Sequence, residues 1–525
     1  MAGQQIPVGG FHTGGVVRDS DAFSLEPNQL SDCRNVRFDN GAVSKILGEQ
    51  EMLSLLGATP RTLVHWSQPV SEFYVVTNSD GTTTRYTASG QAEVITKGAG
   101  GTAEPLATTN AIYTASLFNG GFTYVVSDGV NIPQYIQASG PVSGELRDIP
   151  GWNYNPVFSS VIPRIIRPFR NVLVAANMRY TAATDGSITY APGTIRISDQ
   201  AAPGAIPISW DPQANASDTA DEFELADTEG IVDMVPLQNS LLIYTESSIF
   251  ALSLTGNNAF PVAVQKQLEG RGMLSHNCAA EWYGRHFVVG PQDIYIYAGG
   301  ASVSTVGDGR IRDYFYANLN YAAVDNTFVF HNSRHDEMWV CYPKGTSTAC
   351  NEALIWNYNH NTWTIRDLDD VYAATYGSGV DGTTFTRFDV PVMARDGSLL
   401  QTDIGTSFSG NPINAYFERK GFDITPDGVS FTKFTDDIFI LATGMGAVTA
   451  YVRTTDTPGR PVDFFNKADT KNRVREFQLS GTMPDFKISP KVNGRYFNIR
   501  FGSNDTTSCW NFIRYVLSVD IGDEG

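Results

Sequence analysis

The chain has 525 residues, of which 42% are hydrophobic and 12% aromatic, with a formal net charge of −18. That is enough apolar material for packed cores, which excludes a disordered tail, and too long for one ordinary core, so two or three domains are expected. The acidic balance argues against a protein that reads DNA through a basic face. With 49 Gly and 26 Pro, turns recur every few residues and leave little room for long helices. The expected fold class is therefore all-β. The N-terminal MAGQQIPVGGFHTGG has neither a basic n-region nor an apolar h-region, so no signal peptide is expected. No apolar run approaches the roughly 18 residues of a membrane-spanning helix. Five scattered cysteines (Cys33, Cys278, Cys341, Cys350, Cys509) suit buried thiols better than a disulfide scaffold.

Residues 1–58 read as an extended, Gly-rich arm leading to one hairpin, NVRFDNGAVSKILG, with its turn at Asp39-Asn40-Gly41. From residue 59 to 408 one unit recurs: a short apolar strand, a tight polar turn, and a second alternating strand. It appears at Phe73, Phe122, Val172, Leu241, Phe287, Met338 and Val392. The spacing averages about 50 residues, the length of a four-stranded propeller blade, so a propeller-like domain of about six to seven blades is expected. An array of sandwiches is the rival. The longest step, between Val172 and Leu241, holds the acidic stretch Asp211–Gly230, expected to be an inserted loop. Residues 409–525 change rhythm. INAYFERKGFDI, FTKFTDDIFILAT, GAVTAYVRTTD, VREFQLSG, RYFNIRFG and NFIRYVLSVDI read as six strands of a C-terminal β-sandwich.

Chemistry is sought and mostly not found. There is no GxSxG elbow, no HExxH and no Walker loop. Gly98-Ala99-Gly100-Gly101-Thr102-Ala103 resembles a dinucleotide turn, but Pro105 follows where a helix N-terminus is needed, so a loop is expected. His331, His335, Asp336 and Glu337 share one turn without a third ligand group, which favours a solvated turn over a metal site. Cys341 and Cys350 flank a loop and are expected to stay reduced. Asp369-Asp370 and Asp436-Asp437 could serve a glycosidase only at a set separation, and Ser79-Asp80-Gly81-Thr82 lacks the spacing of a sialidase box. Arg164, Arg167 and Arg170 form the clearest basic cluster, with Lys471, Arg473 and Arg475 second. They could clamp phosphates or a neighbouring subunit, or pack on the chain's own carboxylates. Trp339, Trp356, Tyr358 and Trp363 could stack on sugars but are expected in the core. No catalytic, cofactor-binding or metal residue is assigned, and no enzyme activity is expected.

Several segments, in order along the chain, carry a resemblance. They are LSDCRNVRFDNGAVSKILG, IRISDQAAPGAIPISWDP with the following FELADTEGIVDMVPLQNSLLIYTESSIFALSLTG, EGRGMLSHNCAAEWYGRHFVVGPQDIYIYAGG, NAYFERKGFDI and GRYFNIRFGSNDTTSCWNFIRYVLSVDIG. Their order resembles the tail nozzle, tail hub or stabilisation proteins of short-tailed (podovirus) bacteriophages. The resemblance implies a structural virion protein, made in the host bacterial cytoplasm, whose copies form a ring, by family analogy a hexamer. Its implied partners are copies of itself, a tail adaptor ring beneath the portal, and tail fibres or tailspikes. Genomic DNA would pass through the lumen without sequence-specific binding, be retained there, and leave on ejection. The eight carboxylates from Asp211 to Asp233, with no Lys or Arg between, would keep that lumen slippery. The alternative is a tail-associated glycan-binding or glycan-degrading propeller protein.

Overall fold

A computed structural model describes the chain except for residues 1–3, 40, 69–70, 99–103, 108–110, 138–143, 215–218, 226–229, 258–259, 424–432, 458–461, 466–473, 481–484 and 522–525. Strands make up 59% of it and helix 4%, so the fold is all-β. The helical pieces are one turn at Phe11–Gly14, a short helix Arg312–Asn318 and a 3-10 segment Tyr321–Asn326.

The middle of the chain forms five successive four-stranded antiparallel sheets, here I to V, at residues 60–94, 114–148, 158–224, 231–269 and 279–305. In each, strands follow one another in chain order. The recurring hairpins read from the sequence are the second and third strands of these sheets; Ser240–Thr245 and Ser248–Asn257 are an example. Those strands are the most apolar because neighbours cover both their edges and both their faces.

Sheet VI has seven strands, Phe328–Asn332, Glu337–Tyr342, Cys350–Asn357, Thr362–Asp381, Thr384–Arg395, Ser398–Thr402 and, last, Glu49–Ser54. Its 20-residue strand Thr362–Asp381 changes partner midway. Residues 362–367 pair with Cys350–Asn357, and residues 371–381 pair with Thr384–Arg395. The first strands of successive sheets lie side by side, from Pro60–Gln68 through Thr114–Phe118, Phe158–Phe169, Ile231–Leu237 and Ala279–Trp282 to Phe328–Asn332, which in turn lies against the fourth strand of sheet VI, Thr362–Asp381. That last strand returns against Pro60–Gln68, so the series closes. Closure is tight: a Cβ at Gly377 would lie 2.5 Å from the His65 ring, and Tyr74 Oη donates to the Ser378 carbonyl at 2.6 Å.

The expected acidic insertion holds the strand Asp221–Glu224, the fourth of sheet III. The Trp-bearing segment before it is not a strand. Trp210 is instead buried edge-on to Trp152, with ring centroids 4.6 Å apart.

Beyond residue 409 two sheets face each other. Sheet VII contains Val36–Asp39, Ala42–Lys45, Cys509–Ile521, Lys433–Met445, Asp485–Ile488, Gln4–Gly9 and Val492–Gly494. Sheet VIII contains Asp32–Arg34, Ile413–Phe422, Tyr496–Asp505, Ala447–Thr455 and Arg475–Ser480. Phe417 and Phe501 of sheet VIII meet Phe512 of sheet VII at 4.8 and 4.9 Å between centroids. All six strands expected here form, and Asp485–Ile488 and Val492–Gly494 add to them.

The first 58 residues do not stand apart as an arm. Gln4–Gly9 pairs with Cys509–Ile521, Asp32–Arg34 with Ile413–Phe422, and Glu49–Ser54 with Ser398–Thr402. Phe11 sits between Phe417 and Tyr515 in the core between the two facing sheets. Extended backbone satisfies its N–H and C=O groups by joining a sheet edge, and these segments each find one. The hairpin expected at 36–45 forms, with Asp39 opposite Ala42 and Gly41 at φ 79; Asn40 lies outside the described residues.

Candidate functional site

One cavity of about 480 Å³ and a neighbour of about 430 Å³ share Arg164, Asn177 and Asp325. Arg164 and Arg167 come from the same strand, Phe158–Phe169, but play different parts. Arg164 is exposed into both cavities. Arg167 instead forks onto Asp233 (2.8 and 2.7 Å) and reaches Asn277 Oδ1 at 2.8 Å. Asp233 also accepts the backbone N–H groups of Met234 and Asn277. Burial alone would raise the Asp233 pKa, but Arg167 and these hydrogen bonds outweigh it and hold the carboxyl below the usual carboxylate range. This knot joins the inner edges of sheets III, IV and V. Arg170 points away, at φ 53, onto Asn239. The three arginines thus do not act as one cluster.

Next to the knot, Ser275 Oγ bonds Asp325 Oδ1 at 2.7 Å and lies 3.3 Å from His276 Nδ1. A catalytic triad needs the imidazole between the hydroxyl and the carboxylate. Here the hydroxyl is in the middle, and burial lowers the His276 pKa against the pull of Asp233 and Asp325. The arrangement is not that of a Ser-His-Asp triad.

A second charged cluster joins sheets VI and VII. Arg37 binds Glu337 through Nε (2.6 Å) and Nη2 (3.1 Å), and Asp403 through Nη2 at 3.1 Å. Arg366, wholly buried, lies 3.6 Å from Asp403 and 3.8 Å from Glu49, with its guanidinium 4.8 Å from the Trp339 ring centroid. Burial opposes the ionised form of Asp403, yet Arg37 and Arg366 prevail and hold its pKa at about 2.

The remaining sequence candidates separate. His331 faces Tyr358, while Asp336, at φ 57, accepts from Tyr358 Oη and Asn359 Nδ2. Glu337 turns inward to Arg37, and His335 Nε2 lies 3.5 Å from Asp403. Among the described residues no group of three His, Cys, Asp or Glu side chains is disposed to hold a metal. Asp369 pairs with Arg395, and Asp437 with Lys487 at 2.8 Å on another sheet, so neither aspartate pair makes a facing couple. Asp80 caps its own turn through Thr82. Cys341 and Cys350 are free and buried, and Cys350 donates to the Asn326 carbonyl at 3.0 Å. Of the acidic stretch, Glu222 binds Arg196 (2.6 Å) and Asp233 binds Arg167; Asp218, Asp227 and Glu229 lie outside the described residues. So do Lys471, Arg473 and Ala99–Ala103, whereas Arg475 opens a strand. Trp339 and Trp363 are core residues; Trp356 is buried beside a half-exposed Tyr358 at a cleft rim. Sequence reasoning passed over Tyr283 on the same rim, whose signal is an aromatic residue in the turn Trp-Tyr-Gly-Arg.

No family model matches the chain, and no curated protein sequence matches it. A solved structure described as U3-55K is similar over 68% of this chain and 98% of its own, at 8% identity and a TM-score of 0.35. No helix among the described residues is long and apolar enough to cross a membrane.

Proposed function

We propose that the chain is a ring-forming structural subunit of a short phage tail. In this reading sheets I–VI are a seven-bladed propeller whose last blade takes its outer strand from Glu49–Ser54, and sheets VII and VIII are a sandwich docked beside it. Supporting the propeller are the closing series of first strands and the seven-stranded sheet that divides at Asp367–Val371 into two four-stranded halves. The sequence resemblance supports the tail assignment, and one structural observation carries the assembly. Hairpins extend beyond the sheets and display apolar side chains to solvent: Ile188 and Tyr190 (73% exposed) on sheet III, and Phe388 (80%) on sheet VI. Val157, beside the first of these, is 60% exposed. Apolar groups held out on ordered strands are what a heterologous, ring-closing contact requires. The arginine knots make each subunit a stiff wall element.

The experiment is cryo-EM of the purified chain and of tails from the particles that carry it. The reading expects a ring, sixfold by family analogy, with a channel wide enough for duplex DNA and with the 183–190 hairpin inside the subunit contact. A chain that stays monomeric at tens of micromolar and lies only at the tail periphery would overturn it.

A further inference from the structure

A cleft of about 660 Å³ opens between sheets V and VI, away from the arginine knots. Its wall is aromatic. Trp282 and Trp356 stand edge-on with centroids 5.9 Å apart, and Tyr358 lies 5.7 Å from Trp282. Tyr283 closes the rim, 6.3 Å from Tyr358 and nearly perpendicular to it. Asp336 fixes Tyr358 and Asn359 by hydrogen bonds, and Asn361 accepts from Trp356 Nε1 at 3.0 Å.

Tyr283 is the informative residue. Trp282 pairs with Arg285, so Tyr283-Gly284 is a two-residue hairpin turn with both φ positive, 45° and 72°. That geometry favours Asn-Gly or Asp-Gly. A bulky aromatic in the left-handed region is strained. Tyr283 nevertheless stays 81% exposed, with its ring edge-on to Tyr358. The turn is locked in place by Glu281, which accepts the Gly284 N–H at 2.8 Å. A strained, exposed tyrosine beside a tryptophan–tyrosine wall is an aromatic platform for the face of a ring.

The cleft also carries positive charge on an acidic protein. Arg285 and Arg310 line it, and among the described residues neither is paired with a carboxylate. Arg310 is half-buried, its guanidinium donates to the Gly14 carbonyl, and its pKa is lowered by burial. Asp308, on the same rim, is taken up by Arg312 at 2.7 Å. Aromatic faces, amide side chains and two unneutralised guanidinium groups match a pyranose bearing a carboxylate.

We propose that this cleft binds a uronic-acid-containing oligosaccharide, with Tyr283 stacking on a sugar ring and Arg285 and Arg310 facing its carboxylates. The inference stands independently of ring assembly. The test is isothermal titration of the full chain with tetragalacturonate, beside neutral cellotetraose and a tetraglutamate peptide. Saturable binding of tetragalacturonate, at least tenfold tighter than either comparison ligand and weakened by added salt, is expected. Tyr283→Asn puts the favoured residue into the turn, so it should leave thermal stability unchanged or raised while weakening tetragalacturonate at least tenfold. Arg285→Gln should weaken it several-fold and flatten the salt dependence. Absence of saturable binding, equal binding of cellotetraose or tetraglutamate, or unchanged affinity in Tyr283→Asn would each overturn the proposal.

Discussion

Replacing Arg37 with methionine tests whether the cluster between sheets VI and VII holds the two parts together. Arg37 brings the sheet VII hairpin into that cluster and donates to both Glu337 and Asp403. With it, two arginines face the three buried carboxylates of Glu49, Glu337 and Asp403; without it, Arg366 faces Glu49 and Asp403, and Glu337 has lost its arginine. Glu337 would keep only Trp339 Nε1 (2.9 Å) and a longer contact to Asn332. Breaking a buried pair by removing one partner costs about 3–5 kcal/mol, mostly because the other charge is stranded. The measurement is urea unfolding followed by tryptophan fluorescence, since Trp339 lies in the cluster. The loss should depend on pH in a set direction. Asp403 has a folded pKa depressed to about 2, so its contribution is present above its unfolded pKa of roughly 4 and disappears as pH falls through the folded value. The gap between wild type and Arg37→Met should therefore be widest at neutral pH and narrow towards pH 3. Arg37→Lys, which keeps the charge but not the fork, should fall between them. A loss under about 1 kcal/mol at pH 7, or a gap that does not narrow in acid, would refute the reasoning.

Other expectations follow from single residues. Asp233→Asn should destabilise at neutral pH by about 3 kcal/mol or more, because Arg167 would stay buried without its anion; urea midpoints from pH 7 down to 3 should converge with wild type, as protonation removes the same pair. Phe11→Ala should cost about 3–5 kcal/mol, read as a lower unfolding midpoint, since its ring fills the core between sheets VII and VIII. Gly377→Ala should cost about 1–3 kcal/mol, because the new methyl would meet His65 and Tyr74 Oη where the strand series closes. Titration with Ellman's reagent should find one fast thiol, Cys509, in the native chain and all five in denaturant, because burial raises the others, Cys33 to about 12.

Much of the fold was legible where it is local. The DNG turn announces the 36–45 hairpin, and alternation at residues 497–501 announces a strand. The apolar middle strands stand out at intervals set by sheet size. Long-range pairing left no such trace. EQEMLS at Glu49–Ser54 is polar and unremarkable, because an outer strand needs only backbone complementarity to Ser398–Thr402. The acidic stretch hid the strand Asp221–Glu224 for a related reason: Arg196, far away in sequence, neutralises Glu222. Similar logic dispersed the candidate sites. PRIIRPFR looks like one basic patch, yet its arginines at 164, 167 and 170 go to a cavity, a buried knot and a surface turn. The aromatic cleft was half visible, since Trp356 and Tyr358 were noticed for stacking. Tyr283 was not, because its meaning lies in a backbone angle.

The pairing of Gln4–Gly9 with Cys509–Ile521 also sets a timetable for biosynthesis. At about 5–20 residues per second, a ribosome takes roughly half a minute to two minutes to reach the partner of the first strand. Throughout that interval sheet VII lacks its central strand, and Phe11 lacks the pocket that Tyr515 helps to form. The pairing therefore waits until residues 509–521 have been made. A chain lacking residues 509–521 would leave Gln4–Gly9 and Lys433–Met445 without their shared partner, open strand edges that invite aggregation.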